Sequence, residues 1–295
     1  MKQKILILGG TGMLGHILFK TLRKNLNFEV YATARSIEGL SKWFSPEELQ
    51  NIRSGVEATD FDSIIRALAS IQPTIVINCI GLIKQTPLAS DPLTAIIINS
   101  LLPHRISLIC RTAKARMIHI STDCVFNGMK GNYSEDDPSD AADLYGRSKF
   151  LGEVTYPHCV TLRTSIIGHE IKGKLGLVEW FMAQEDRIKG FTQAFFSGFP
   201  TIEIARIIEK YVIPNAELSG LYQVSAGAIS KYDLLKLIVA EYGKEIDIEP
   251  YDGFAVDRVL NSQRFAMASG YEAPSWPELV RTMHQHYLSE SCYRS

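Results

Sequence analysis

The sequence contains little cysteine, and its cysteines are scattered. The five cysteines among 295 residues form no Cys-x-x-Cys pair, and no histidine pair has the spacing of metal ligands. His284 and His286 are two residues apart near the C-terminus and are interpreted as surface residues. The sequence therefore predicts neither a disulfide framework nor a metal site.

An excess of one charge and long apolar runs are also lacking. The net charge of −1 gives no basic field for nucleic acid or an anionic membrane. The apolar run Ile5–Leu8 is too short for a signal peptide, and no run approaches the about 20 apolar residues of a membrane helix. We expect a cytoplasmic protein that binds neither nucleic acid nor membrane.

A strand, a glycine turn and a helix follow one another at the start of the chain. Lys4–Leu8 is typical of a strand buried on both faces, and His16–Lys24 has helical periodicity. Between them, Gly9 permits a tight turn, Gly12 lets the backbone approach a pyrophosphate, and Gly15 allows close helix packing. The helix N-terminus adds N–H groups for the phosphates. This order predicts a dinucleotide site.

The end of the predicted second strand, Phe28–Thr33, bears on the choice of cofactor. Arg35 lies about 20 residues past the last glycine, where an acidic residue would hold the ribose of NAD. An arginine there fits a 2′-phosphate and favours NADP, although a plain surface arginine is the alternative. Val56–Asp60 is predicted to end a third strand, and Asp60 is placed to accept from the adenine amino group or to cap the next helix.

Further elements complete the predicted crevice. Thr74–Asn78 is another apolar strand, and the long helix that begins at Asp91 and runs through Arg111 contains a polar Asn99, which needs partners if it is buried. The predicted cofactor-binding residues are Gly9, Thr11, Gly12, Met13, Leu14, Gly15, Arg35, Asp60, Phe61, Cys79, Ile80, Gly81, Tyr145 and Lys149.

Strands and helices alternate through about residue 163, with Met117–Ile120 and Val160–Arg163 as later strands. This alternation predicts an α/β fold, a Rossmann-type doubly wound parallel sheet with a smaller C-terminal substrate lobe. We expect residues 1–165 to bind NAD(P) and residues 166–295 to form mainly the substrate lobe, with some elements returning to the first domain.

Tyr145 and Lys149 are four residues apart on a predicted helix and share one face. An ammonium one turn away favours the phenolate, so we expect it to lower the pKa of Tyr145. The pair could then transfer a proton near neutral pH. A solvated helix face with a half-buried tyrosine is the alternative interpretation.

Together these motifs resemble the extended short-chain dehydrogenase/reductase family. The resemblance is carried by residues 9–15, 121–126, 145–153, 162–165 and 220–225. The chain looks most like the dTDP-4-dehydrorhamnose reductase branch, the nucleotide-sugar 4-keto reductases. That resemblance implies a catalytic Thr122, Tyr145 and Lys149, and NADPH-dependent reduction of a sugar 4-keto group.

The predicted substrate contacts are Asp123, Trp180 and Arg258. Arg258 and Arg264 are candidates for the substrate diphosphate because a planar fork suits phosphate oxygens. We expect the base to pack among aromatic and apolar residues of the lobe, which could equally form its core: Val178, Trp180, Phe181, Phe195 and Phe196.

Two departures from the family pattern concern the substrate. Cys124 stands where the family usually has tyrosine, and residues 168–170 replace a tyrosine-bearing stretch. A UDP-linked 4-keto-hexulose is thus as compatible as dTDP-4-dehydrorhamnose.

The sequence is compatible with a homodimer. Two functions other than sugar reduction also stay open. One is an epimerase or dehydratase of the same superfamily, although the Asp-Glu pair that follows the threonine in such dehydratases is replaced here by Asp123-Cys124. The other is a catalytically silent NADP-binding regulatory subunit. Such a subunit catalyses no reaction and so would not need Thr122, Tyr145 and Lys149 together.

Overall fold

The apolar runs interpreted as buried strands form the centre of a seven-stranded parallel sheet. The computed structural model describes residues 2–84, 86–173 and 175–293. The strands are β1 (Gln3–Leu8), β2 (Phe28–Thr33), β3 (Ile52–Arg53), β4 (Ile75–Asn78), β5 (Arg116–Thr122), β6 (Cys159–Thr164), β7 (Ile166–Ile167), β8 (Ile188–Phe196), β9 (Phe199–Pro200), β10 (Gly220–Gln223), β11 (Ile229–Ser230) and β12 (Ile248–Asp257).

Helices connect the strands and cover both faces of this sheet. They are α1 (Met13–Arg23), α2 (Pro46–Gln50), α3 (Phe61–Ile71), α4 (Pro92–Ala95), α5 (Leu102–Thr112), α6 (Leu144–Leu151), α7 (Leu177–Met182), α8 (Thr201–Ile207), α9 (Lys231–Tyr242), α10 (Gln263–Ser269) and α11 (Trp276–Ser289). A π-helical segment, Ile96–Leu101, joins α4 to α5, and another, Ile208–Val212, extends α8.

The large sheet has the strand order β3-β2-β1-β4-β5-β6-β10. Alternate residues of β1 enter different cores: Ile5 and Ile7 pack on one face, and Leu6 and Leu8 on the other. Burial on both faces explains why these strands are continuously apolar. The predicted Rossmann-type α/β fold is confirmed.

The C-terminal part forms smaller sheets and also returns to the large one. β8 pairs antiparallel with β11 and parallel with β12, and β7 pairs with β9. β10 lies parallel to β6 at the edge of the large sheet. The second half of the chain thus contributes a strand to the Rossmann sheet as well as a mixed sheet of its own.

The predicted third strand is wrong in its position. β3 is the short segment Ile52–Arg53, and Gly55, with φ +73°, turns the chain before Val56. A glycine in the left-handed region interrupts the extended backbone that a strand needs. Asp60 therefore does not end a strand but precedes α3.

One helical stretch, Pro92–Thr112, is long and apolar enough by length and composition to cross a membrane. Half of its most apolar window is buried inside the protein, as in the core helix of a soluble domain. Asp91 caps its N-terminus by accepting from the Thr94 N–H at 2.8 Å, so the helix starts where the sequence predicts.

Candidate active site

The glycine turn between β1 and α1 is held together by its own backbone. Gly9 has φ +82°, and the Gly12 N–H donates to the Gly9 carbonyl at 3.1 Å. A Cβ on Gly15 would lie 2.1 Å from the Gly9 oxygen, so any side chain there would force the helix away from the turn.

The first turn of α1 is suited to an anion. It contains no acidic residue, and no side chain among the described residues caps it. The first N–H groups of a helix have no partner within the helix, and the helix dipole is positive at that end. The turn therefore has the chemistry that an anion needs, and binding of a dinucleotide pyrophosphate there stays a prediction.

Residues after β4 connect this turn to Lys149. A Cβ on Gly9 would lie 3.2 Å from Ile80 Cγ1 and 3.3 Å from the Cys79 carbonyl carbon. A Cβ on Gly81 would lie 3.7 Å from Lys149 Nζ. The segment 79–81 thus lies between the predicted phosphate site and Lys149.

The residues predicted to hold the adenosine end lie on the surface. Arg35 is exposed, two residues beyond the end of β2. Asp60 caps α3, accepting from the Asp62 N–H at 3.1 Å, and pairs with Arg66 at 3.2 Å. Phe61 is half-buried beneath the Arg105 guanidinium, 3.7 Å from the ring centroid. The capping role of Asp60 is therefore present.

Thr122 lies at the end of β5, where the strand gives way to a turn. Its hydroxyl donates to Asp123 Oδ1 at 3.1 Å and accepts from the Cys124 N–H at 3.2 Å. Thr122 is 8% exposed. It therefore satisfies the strand-end turn and still presents its hydroxyl at the carboxyl edge of the sheet.

α6 brings Tyr145 and Lys149 to the same edge. Asp143 caps the helix by accepting from the Gly146 N–H at 2.8 Å. A Cβ on Gly146 would lie 2.2 Å from the Cys124 oxygen, so α6 packs directly on the turn that follows Thr122. The Lys149 ammonium donates to the Ile120 carbonyl of β5 at 2.9 Å.

The three predicted catalytic side chains therefore meet, but their electrostatics differ from the expectation. Burial raises the pKa of Tyr145, Cys124 and Asp123 raise it further, and a hydrogen bond with Thr122 opposes this. Burial lowers the pKa of Lys149 to about 8, while Glu153 acts to raise it. The prediction that the pKa of Tyr145 falls below its ordinary value is wrong, because the loss of solvent around the phenol outweighs the effect of a nearby cation.

Asn99 has the partners that its buried position requires. Its Oδ1 accepts from the Leu82 N–H at 2.9 Å, and its Nδ2 donates to Ser148 Oγ at 3.1 Å. A Cβ on Gly152 would lie 1.8 Å from the Asn99 carbonyl oxygen. Asn99 therefore fixes α6 against the segment that follows β4.

Two cationic side chains from distant segments act electrostatically on Asp123. Burial raises the pKa of Asp123, and Arg258 and Lys231 both act to lower it. Arg258 Nε donates to the Phe126 carbonyl at 2.7 Å, which anchors its guanidinium beside the turn that follows Thr122. Lys231, at the start of α9, was missed because no local motif marks it.

The other predicted substrate residues separate into surface and core. Val178 and Phe181 are fully buried and offer no surface to a base, while Trp180 is 40% exposed. Arg264 pairs with Asp136 at 2.7 Å on the protein surface. Of this group, Trp180 has the accessibility and Arg258 has the position that a substrate contact needs.

His169, in the segment that departs from the family pattern, is a core residue. Its Nδ1 contacts Glu179 Oε1 at 2.6 Å, and its Nε2 contacts the Tyr242 hydroxyl at 2.9 Å. It is 4% exposed. This departure therefore changes the packing of the C-terminal part rather than a side chain at the carboxyl edge of the large sheet.

Comparison with known proteins finds relatives that match over most of the chain. The chain is 28% identical over 256 residues to the spore coat polysaccharide biosynthesis protein SpsK of Bacillus subtilis, covering 83% of this chain and 81% of that protein. It is 24% identical over 298 residues to a dTDP-4-dehydrorhamnose reductase of Mycolicibacterium smegmatis, covering 95% and 85%.

A crystal structure of dTDP-4-dehydrorhamnose reductase from Bacillus anthracis in complex with NADP has the same fold. Its TM-score is 0.78 at 21% identity, covering 97% of this chain and 99% of that one. The family model described as the RmlD substrate binding domain matches residues 3–288. Because that match extends over nearly the whole chain, the protein belongs to the RmlD substrate binding domain family.

Proposed function

We propose that the protein is an NADPH-dependent reductase of the 4-keto group of a nucleotide-linked deoxy sugar, such as dTDP-4-dehydrorhamnose or a UDP-4-keto-hexulose. Its product would serve as a precursor of surface polysaccharide. The observation that carries the proposal is the convergence of Thr122, Tyr145 and Lys149 at the carboxyl edge of the sheet, beside Gly81.

Each side chain has one chemical task in this reaction. The Tyr145 phenol, protonated at neutral pH because burial raises its pKa, gives its proton to the carbonyl oxygen as charge develops there. The Thr122 hydroxyl orients that oxygen. The Lys149 ammonium stabilises the phenolate that remains. When bound, the reduced nicotinamide supplies the hydride to the carbonyl carbon.

The two parts of the chain take different ligands in this proposal. Residues 1–165 carry the glycine turn and Arg35, and they would bind the cofactor. Residues 166–295 supply Trp180, Lys231 and Arg258, and they would mainly bind the nucleotide sugar. We propose that the enzyme works in the cytoplasm, where nucleotide sugars are made, and that it could act as a homodimer.

A substrate screen tests the proposal. Purified protein is mixed with NADPH or NADH and a panel of dTDP- and UDP-linked 4-keto sugars, and the nicotinamide absorbance is followed. We expect stoichiometric oxidation of NADPH with at least one sugar. An epimerase would convert the sugar without net oxidation, and a silent subunit would bind NADPH without turnover. Either outcome contradicts the proposal.

Arg35 is expected to determine the preference for NADPH. Replacing Arg35 with alanine should weaken NADPH binding about tenfold or more and leave NADH binding unchanged, because a charge-assisted contact to the 2′-phosphate is lost. Titration of nicotinamide fluorescence measures both dissociation constants. Arg187→Ala is the matched control, since Arg187 pairs with Asp247 in the C-terminal lobe. Equal effects on NADPH and NADH would contradict this role.

Lys149 is expected to limit activity at alkaline pH. Its pKa is about 8 because it is buried, so the ammonium that supports Tyr145 is lost as the pH rises through that value. We expect kcat/KM for sugar reduction to fall about tenfold per pH unit above about 8. Tyr145 cannot cause this limb, because its pKa is raised rather than lowered. A profile that stays flat to pH 10 would contradict the assignment.

A further inference from the structure

The C-terminal residues of the chain reach the helix that carries the glycine turn. Glu290 Oε2 accepts from Lys20 Nζ of α1 at 2.7 Å, and these side chains are 16% and 11% exposed. Three residues later the Tyr293 hydroxyl contacts His16 Nε2, also on α1. We call the segment 290–293 the C-terminal clasp.

Tyr293 is also held by aromatic packing. Its ring centroid lies 5.8 Å from Tyr287, 5.7 Å from Trp43 and 5.4 Å from His169. The clasp is therefore fixed by α11, by the connection after β2 and by the substrate lobe as well as by α1. The Tyr293 hydroxyl therefore has a defined position.

His16 passes the contact on to the glycine turn. It is 1% exposed, and its Nδ1 lies 2.8 Å from the carbonyl oxygen of Gly12. Burial lowers the pKa of His16 to about 4, so its ring is neutral at physiological pH. A carbonyl can only accept, so Nδ1 carries the hydrogen and donates to Gly12. Nε2 must then accept the hydrogen of the Tyr293 hydroxyl.

The bond to Gly12 sets the direction of a phosphate-facing group. The Gly12 carbonyl and the Met13 N–H belong to one planar trans peptide and point in opposite directions. Met13 is the first residue of α1, and its N–H has no acceptor four residues back within the helix. The Gly12 carbonyl accepts from the His16 backbone N–H at 3.1 Å as well as from the His16 ring at 2.8 Å. The ring therefore adds a second contact to the helical one, and together they fix the direction of the Met13 N–H at the turn.

We propose that the C-terminal clasp, acting through Tyr293 and His16, is a positioning element for the pyrophosphate of the dinucleotide. This inference rests on the proposed use of a dinucleotide. It assigns to the C-terminus a role in cofactor affinity and none in the transfer of the proton. Because NADPH and NADH share the pyrophosphate, the effect must be the same for both.

The test compares two half-buried tyrosines that each contact a histidine. Tyr293→Phe keeps the ring and removes only the hydroxyl that orients His16. Tyr242→Phe is the matched control, because its hydroxyl contacts His169, which is not on α1. Dissociation constants for NADPH and NADH are measured by fluorescence titration, together with Tm and the KM for the sugar at saturating NADPH.

We expect Tyr293→Phe to raise both dissociation constants about fivefold, in equal proportion, and to leave the KM for the sugar unchanged. Tyr242→Phe should change them less than twofold, whatever it does to Tm. A variant ending at Ser289 should raise them at least as much as Tyr293→Phe.

Three results would overturn the inference. Unchanged dissociation constants in Tyr293→Phe would show that the clasp does not position the turn, and an equal rise in Tyr242→Phe would show general loosening. A selective loss of NADPH binding would place the effect at the 2′-phosphate instead. A wild-type protein that binds neither dinucleotide would remove the proposed function itself, which separates that failure from the others.

Discussion

Tyr145→Phe is expected to lower kcat for sugar reduction about 10³-fold, because positioned general acids contribute about 10²–10⁴-fold to such reactions. The ring is kept, so the packing of α6 against the turn after Thr122 should survive. Only the hydroxyl that donates the proton is lost. Stopped assays with excess enzyme and prolonged incubation measure the residual turnover.

The control separates chemistry from binding. NADPH should bind Tyr145→Phe within twofold of wild type, and Tm should stay close to the wild-type value. Tyr156→Phe removes another hydroxyl, one that contacts His104 on the surface, and should retain full activity. Turnover of Tyr145→Phe within tenfold of wild type would contradict the proposed role of Tyr145 as the proton donor.

The size of the expected fall in kcat depends on how well the site stabilises the negative charge that proton transfer leaves on Tyr145. Because Tyr145 is buried and its pKa is raised, the phenolate left by proton transfer is costly unless a cation is near. Lys149 is the buried cation on the same helix, one turn away. The pair is thus better described as an acid and the charge that stabilises its conjugate base than as a tyrosine ionised in advance.

Local patterns predicted the Rossmann half of the fold well. β2 has the predicted bounds, Phe28–Thr33, and α6 carries Tyr145 and Lys149 as expected. These elements depend on the periodicity and glycine positions of short segments. The third strand was misplaced because the turn at Gly55 depends on backbone geometry that residue type alone does not fix.

The C-terminal lobe was harder to predict because its contacts are distant in sequence. β8 pairs with β12, whose register shifts after Tyr251, and no local pattern marks such a partner. Lys231 and Asp123 likewise influence each other's pKa although they are far apart in the sequence. Val178 and Phe181 could have served a base or a core, and only their burial distinguishes the two.

A second large effect is expected for the stability of the protein, at an ion pair just after α6. Arg163 of β6 donates to both carboxylate oxygens of Glu153, each at 2.7 Å, and Ser121 donates to the same carboxylate at 2.7 Å. The side chains of Arg163 and Glu153 are 2% and 5% exposed. The pair connects the segment after α6 to the strands that end at the active site.

Glu153→Gln should therefore lower the free energy of unfolding by about 3–5 kcal/mol, because it leaves the Arg163 guanidinium buried without a counter-charge. Urea titration followed by circular dichroism, analysed by linear extrapolation, measures the change. Glu47→Gln is the matched control. It removes an ion pair with Arg23 at 2.9 Å in which the carboxylate is 82% exposed, so we expect less than about 1 kcal/mol.

A double variant distinguishes loss of the pair from loss of the shape of the glutamate side chain. Glu153→Leu combined with Arg163→Met removes both charges and should recover most of the stability lost in Glu153→Gln, since replacing a whole buried pair with apolar groups costs little. A double variant as unstable as the single one would show that Ser121 and the packing around Glu153 matter more than the charge. A loss of less than about 1 kcal/mol in the free energy of unfolding for Glu153→Gln alone would contradict the prediction, because a buried and unpaired guanidinium destabilises a protein by more than that.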